Sequence, residues 1–226
     1  MNQTLLLFFI AATCAACSDT PSSGKRSAEC YVRYLKPENQ LFAEVVLREE
    51  VPGKTDPQPF IPAGGVRYGG TLMREVPLQG LPAYRLEQSG GYANEHEFTW
   101  SDERERPLSV KVDLSAITAF AFNTDPLVRH TPATFTWTGA PLESGEALVL
   151  MWERTNDRTT VPMEVIGTPG QASIEFPAAQ LAKIEPGTWA LYIVRKKTVQ
   201  SEVKGTNVVC TAEYYSGMDT ITMIER

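Results

Sequence analysis

Apolar residues recur along this chain at every second position, over and over. In Pro107–Leu114, Leu108, Val110, Val112 and Leu114 share one side, while Ser109, Lys111 and Asp113 share the other. Successive side chains of a strand point to opposite faces, so this is the signature of a half-buried β-strand. Leu41–Glu49 repeats it through Ala43, Val45 and Leu47. The pattern predicts strands near 29–35, 41–50, 66–76, 82–87, 96–101, 107–113 and 117–122, and again near 133–138, 146–154, 160–166, 171–176, 188–196, 205–214 and 219–225. Turn formers separate them, among them Pro52-Gly53, Gly64-Gly65, Gly69-Gly70, Gly90-Gly91, Asn156-Asp157 and Pro186-Gly187. Short strands between closely spaced turns read as sandwiches or barrels, not as a parallel sheet. Ala178–Ile184 is the one helical candidate, long enough for a single turn crossing between sheets. The expected fold is all-β, with two antiparallel β-sandwich domains.

The strand pattern breaks at 123–133, where two prolines and several turn formers intervene. This places one domain at 29–122 and another at 123–226, each the size of a small sandwich. Within the second, Phe135 and Trp137 share a face, a strand at 146–154 carries Trp152, and Leu181, Ile184, Pro186 and Gly187 precede an aromatic strand with Trp189, Tyr192 and Arg195. That order resembles fibronectin type III and related immunoglobulin-like domains, with Trp189 standing where those domains place a corner tyrosine. The resemblance covers about 125–226 and implies a fold, not a function.

Residues 1–16 carry no charged side chain, and Leu5–Ala16 has the length of a signal-peptide core, short of the roughly 20 apolar residues of a spanning helix. Ala15, Ala16 and Cys17 resemble the lipobox, where bacteria attach diacylglycerol to a cysteine thiol and cleave before it. The resemblance implies a signal peptide at 1–16, a lipidated tether at 17–28 rich in Ser, Pro and Gly, and membrane attachment through N-terminal acyl chains. Cys14 stands where the motif usually has leucine, and no Lys or Arg precedes the apolar run, so cleavage near Ala16 without lipid and lipidation at Cys14 stay open. Ser18 after the cysteine implies the outer membrane of a two-membrane bacterium. The net charge of −6 belongs to the rest of the chain. It disfavours a nucleic-acid partner and electrostatic adhesion to anionic lipid, which leaves the acyl chains as the anchor. In an oxidising compartment Cys30 and Cys210 are the one intramolecular disulfide candidate. Two buried free thiols are the alternative.

Candidate chemistry is sparse. His96 and His130 lie far apart, and Glu95 and Glu97 point away from His96 on a strand, so no metal-ligating spacing is formed and no cofactor is expected. No Gly-x-Ser-x-Gly elbow nominates a serine nucleophile. Carboxylates are plentiful, Glu75, Glu87, Asp102, Glu103 and Glu105 among them, but nothing in the sequence selects a pair. The stretch from Ser101 to Arg106, just before Pro107, alternates in charge sign as a solvated hairpin loop would. Tyr68, Tyr84 and Tyr92 accompany glycine-rich turns and are candidate surface contacts for a protein or glycan, with core-edge packing as the alternative. The sequence therefore points to a lipid-anchored, non-enzymatic binding or assembly module. A periplasmic or surface hydrolase would need a deep cleft with converging acids, and an envelope-stress or secretion accessory factor a large exposed apolar patch.

Overall fold

The computed structural model describes residues 25–78, 81–102 and 104–225. Cys14, Cys17 and most of the tether lie outside them, as does Glu103. The first part of the chain forms β1 (Arg26–Leu35), β2 (Gln40–Glu49), β3 (Gln58–Pro59), β4 (Arg67–Tyr68), β5 (Thr71–Leu72), β6 (Arg74–Leu78), β7 (Leu81–Ser89), β8 (Glu95–Ser101), β9 (Pro107–Asp113) and β10 (Ile117–Phe122). The second forms β11 (Leu127–Val128), β12 (Ala133–Gly139), β13 (Glu146–Arg154), β14 (Thr160–Val165), β15 (Ser173–Phe176), the single-turn α1 (Ala178–Leu181), β16 (Gly187–Val203), β17 (Thr206–Tyr215) and β18 (Asp219–Ile224). Among the described residues no helix is long and apolar enough to cross a membrane.

The later strands build a seven-stranded antiparallel sandwich, β10-β12-β15 on one side and β14-β13-β16-β18 on the other. Its inward residues follow the period of two: Phe135 from β12, Leu148, Leu150 and Trp152 from β13, and Trp189, Leu191 and Ile193 from β16 are all buried, as is Phe176. Edge-on aromatic pairs run within each sheet, Trp152 with Trp189 and Phe122 with Phe135, and Phe122 meets Trp152 across the gap with ring centroids 5.8 Å apart. The Trp189 indole N–H donates to the Glu185 carbonyl at 2.9 Å, four residues upstream. That is the bond a corner tyrosine makes in such sandwiches. α1 crosses between the sheets and buries Leu181, with Ile184 just beyond it.

β16 continues well past this sandwich. Its first half pairs with β18 through Gly187–Leu191, and its second half pairs with β17 from Val194 to Val203. Where the partner changes, the Ser216 N–H donates to the Ile193 carbonyl and the Ile193 N–H to Ser216 Oγ, both at 2.9 Å, so the strand edge stays bonded. β17 then runs parallel to β1, and β1 pairs antiparallel with β2, β2 with β7 and β7 with β6. A smaller sheet, β5-β4-β8-β9, covers the inner side, β9 lying against β16 and β17. The hydrogen-bonded sheet therefore continues across the 123–133 break: the β16–β17 hairpin, from the stretch 123–226, completes the sandwich begun by 29–122. One hydrophobic core runs through both parts.

Arg195 sits at the junction with 0% exposure. Its guanidinium donates to Glu146 from Nε at 3.1 Å and from Nη2, and to the carbonyls of Ala140 and Pro141 at 2.9 and 2.7 Å. Glu146 also accepts from the Glu143 N–H at 2.9 Å. A charge buried this deeply is tolerable only when its donors are answered, and here the answering groups come from the loop before β13 and from Glu146, the first residue of β13.

Two expected strands differ most in extent. The stretch 66–76 is divided into β4, β5 and β6, because Gly69 and Gly70 adopt positive φ of 52° and 82° and fold β4 back onto β5. The strand expected at 188–196 extends to Val203, since its polar residues pair with β17 along an exposed arm where alternation is weak.

Candidate functional site

The three tyrosines expected as surface contacts are instead core or core-edge groups. Tyr68 is 6% exposed and Tyr84 3%. β4 directs Tyr68 inward against Phe98, and β7 places Tyr84 opposite Val45 on the inner side of the sheet. Tyr92 is half-buried, stacked edge-on against Tyr214. The Tyr68 and Tyr92 hydroxyls serve an internal chain: Tyr68 O–H donates to His96 Nδ1 at 2.6 Å, His96 Nε2 lies 3.4 Å from the Tyr92 oxygen, and Tyr92 O–H donates to the Leu114 carbonyl at 2.6 Å. Since Tyr92 spends its proton on Leu114, the network assigns the imidazole proton to Nε2. Burial lowers the His96 pKa to about 4, so the ring is neutral.

The other sequence-level candidates resolve into scaffold roles. The charged stretch from Ser101 is the β8–β9 hairpin loop, organised by Asp102, whose carboxylate accepts from the Arg104 and Arg106 N–H groups and pairs with the Arg106 guanidinium at 2.7 Å. Desolvation would raise the Asp102 pKa, but the hydrogen bonds from Arg106 and Arg104 outweigh it and hold the group below the ordinary range. Cys30 and Cys210 are buried and stand opposite each other in the β1–β17 register as two thiols, not as a disulfide. Among the described residues no group of three His, Cys, Asp or Glu side chains is arranged to hold a metal.

The outward side of the long sheet carries features that the sequence did not single out. Because Ala28, Cys30, Val32 and Tyr34 of β1 face the core, Tyr31, Arg33 and Leu35 face out. Register then sets Arg33 between Phe42 on β2 and Glu213 on β17, Tyr31 beside Glu44, and Leu35 beside Tyr215. The Arg33 guanidinium lies over the Phe42 ring, 4.6 Å from its centroid, and its Nε has no hydrogen-bond partner among the described residues. Glu44 is held by Arg85 at 2.5 Å. Glu213 accepts from Tyr31 at 2.5 Å and from Tyr215 at 3.0 Å. Desolvation raises the pKa of both tyrosines, Tyr215 to about 12, with Glu213 adding to the shift, so both remain protonated donors. Around Arg33 the face is hollowed by about 280 Å³, with Tyr31, Phe42, Arg85 and Glu87 on its walls.

A second hollow of about 230 Å³ adjoins it across Leu35 and Tyr215. Tyr192 stacks on Tyr215 there, ring centroids 6.4 Å apart, and Met218 closes one end at 64% exposure. Two carboxylates, Glu44 and Glu87, line the first hollow, but Glu44 is committed to Arg85, so they do not stand as a free acid pair. The face draws its side chains from β1, β2 and β7 on one side and from β16 and β17 on the other. It exists because the hairpin joins them.

Strand order and burial make the chain an all-β sandwich protein. Among solved structures it is similar to the crystal structure of the chicken CNTN1 FN1-FN3 domains, at 9% identity and a TM-score of 0.24. That match covers 87% of this chain and 66% of the other, just under two thirds of its length. No protein-family model matches the chain, and no curated protein matches it.

Proposed function

We propose that this protein is a non-enzymatic binding module of the bacterial envelope, lipid-anchored through Cys17, which engages a protein or glycan partner through the outward face around Arg33. One observation carries the reading. Tyr31, Arg33, Phe42, Tyr192 and Tyr215 are half-buried on a sheet face that meets water, where folding alone asks for small polar side chains. Large aromatic and arginine side chains set in shallow hollows are the groups that dominate binding energy at interfaces. The lipobox-like Ala15-Ala16-Cys17 supports the anchor and the outer-membrane location, and the short polar tether after it would hold the module close to the membrane.

The binding part is tested by site-specific photo-crosslinking in intact cells. A crosslinker at Phe42 should capture a discrete partner, whereas one at the 81% exposed Ile166, away from the face, should not. Once that partner is in hand, the double variant Arg33→Ala, Phe42→Ala should weaken it by about 30-fold or more, the equivalent of about 2 kcal/mol, while the melting temperature changes little. Equal capture from both positions would refute the face. Separately, Cys17→Ser should move the protein into the soluble fraction and abolish fatty-acid labelling. Continued labelling would refute the anchor at that residue.

A further inference from the structure

The seam beneath that face is closed by two sulfurs. Cys30 on β1 and Cys210 on β17 are direct register partners, and both side chains point into the core, at 3% and 0% exposure. Neighbouring strands run about 4.8 Å apart, within the roughly 4.4–6.8 Å between Cα atoms that a disulfide spans. On the outward side of the same two strands the next residues are Tyr31 and Thr211, so the sulfurs lie directly under the hollow around Arg33.

We infer that Cys30 and Cys210 are joined as a disulfide in the mature protein, a covalent staple across the seam between β1 and the β16–β17 hairpin. The inference rests on the export reading above, because disulfides persist in oxidising compartments. The chemistry balances as thiol–disulfide exchange. One cysteine thiolate attacks a disulfide oxidant, either a protein dithiol–disulfide or oxidised glutathione, and expels one of its sulfurs as a thiolate. The second cysteine thiolate then attacks the mixed disulfide and releases the other. Two thiol protons and two electrons pass to the oxidant, which leaves as a dithiol or as two thiols.

The site also fixes when this happens. In the folded protein an oxidant has no path to either sulfur. The Cys210 side chain beside it, and after that burial, holds the Cys30 thiol well above its usual pKa, so the reactive thiolate is scarce. Exchange therefore precedes the docking of β17 on β1, and the finished bond is shielded from reductants by the same packing. This makes it a permanent staple and not a switch.

The test is residue-level mapping on the full chain isolated from the envelope. The protein is denatured in an alkylating reagent without reductant, digested and weighed by mass spectrometry, so that Cys14 and Cys17 do not enter the count. The expected result is a linked peptide pair containing Cys30 and Cys210, with neither alkylated. A second arm refolds the reduced chain from denaturant in a glutathione buffer. The same pair should form there, while the reduced, already folded protein in that buffer should oxidise many-fold more slowly. If no Cys30–Cys210 pair forms on refolding, the staple is overturned regardless of where the protein resides. If it forms on refolding but both residues are alkylated in protein from cells, the pairing geometry stands and the export reading falls. Equal oxidation rates for folded and unfolded chains would overturn the order of events. Cys210→Ser should lower the melting temperature of the oxidised protein by roughly 5–15 °C.

Discussion

His96 shows how completely a side chain can be claimed by its surroundings. It is 2% exposed, its Nδ1 is occupied by the Tyr68 hydroxyl and its Nε2 faces the Tyr92 oxygen. A second ring proton would have to displace the Tyr68 hydroxyl from Nδ1 inside the core, which is why burial holds the pKa to about 4, against a weaker pull upward from Asp113. The consequence for stability has a definite sign. Above about pH 6.5 the ring is neutral in both folded and unfolded chains, so it makes no difference to stability. Between pH 6.5 and 4 the unfolded chain binds a proton that the folded chain refuses, so stability falls as the pH is lowered, by about 3 kcal/mol at most from this residue. Urea unfolding of the wild type and His96→Gln at pH 7 and pH 4.5 should show the variant losing about 2 kcal/mol less over that interval. Identical losses would mean that the imidazole is protonated in the native core.

The β16–β17 hairpin is the element on which the architecture turns. Its two-residue loop is Lys204-Gly205, with positive φ of 49° and 81°, the twist that a tight antiparallel hairpin requires. Lys204 anchors the tip by donating to the Pro107 carbonyl at 2.8 Å. Gly205→Val should cost about 1–2 kcal/mol, because a β-branched residue is forced into left-handed backbone, and hydrogen exchange should report the loss first at the β17 amides paired to β1. Exchange that quickens equally over β12 and β15 would show the hairpin is not a separate unit. The strands themselves were legible wherever one face is apolar and the other polar. β9 and β10 run as the alternation predicts, and β2 agrees to within a residue at each end. The outward face was harder to read, since β1 carries large side chains on both sides, Tyr31, Arg33 and Leu35 against Val32 and Tyr34, and alternation cannot then tell interior from exterior. Tyr68 and Tyr84 misled in the opposite way. The glycines beside Tyr68 suggested an exposed turn, whereas Gly69 and Gly70 fold β4 back with its ring inward, and Tyr84 lies mid-strand on the core side of β7. Nothing local announces that β17 lies beside β1, because inward-facing residues record burial and not the identity of a neighbour.

At the scale of the whole molecule, two sandwich patterns in sequence become one interlocked object. A fragment spanning 29–122 lacks β17 and β16, so it leaves an edge of β1 unpaired and the core residues Cys30, Val32 and Tyr34 without Cys210, Ala212 and Tyr214 opposite them. That fragment should show no cooperative unfolding transition and should aggregate, whereas the intact chain should unfold in a single transition by both near-ultraviolet circular dichroism and tyrosine fluorescence. Two separated transitions would mean that the halves fold independently. The parallel pairing of the first strand with one of the last also has a temporal side. A chain delivered N-terminus first presents β1 early, yet its partner arrives some 180 residues later, so this is a topology of high contact order. Until then one long strand stands unguarded, open to pairing with another copy of itself. Efficient production of this protein therefore depends on something keeping that edge occupied in the meantime, and the demand should grow with any change that slows delivery of the C-terminal end.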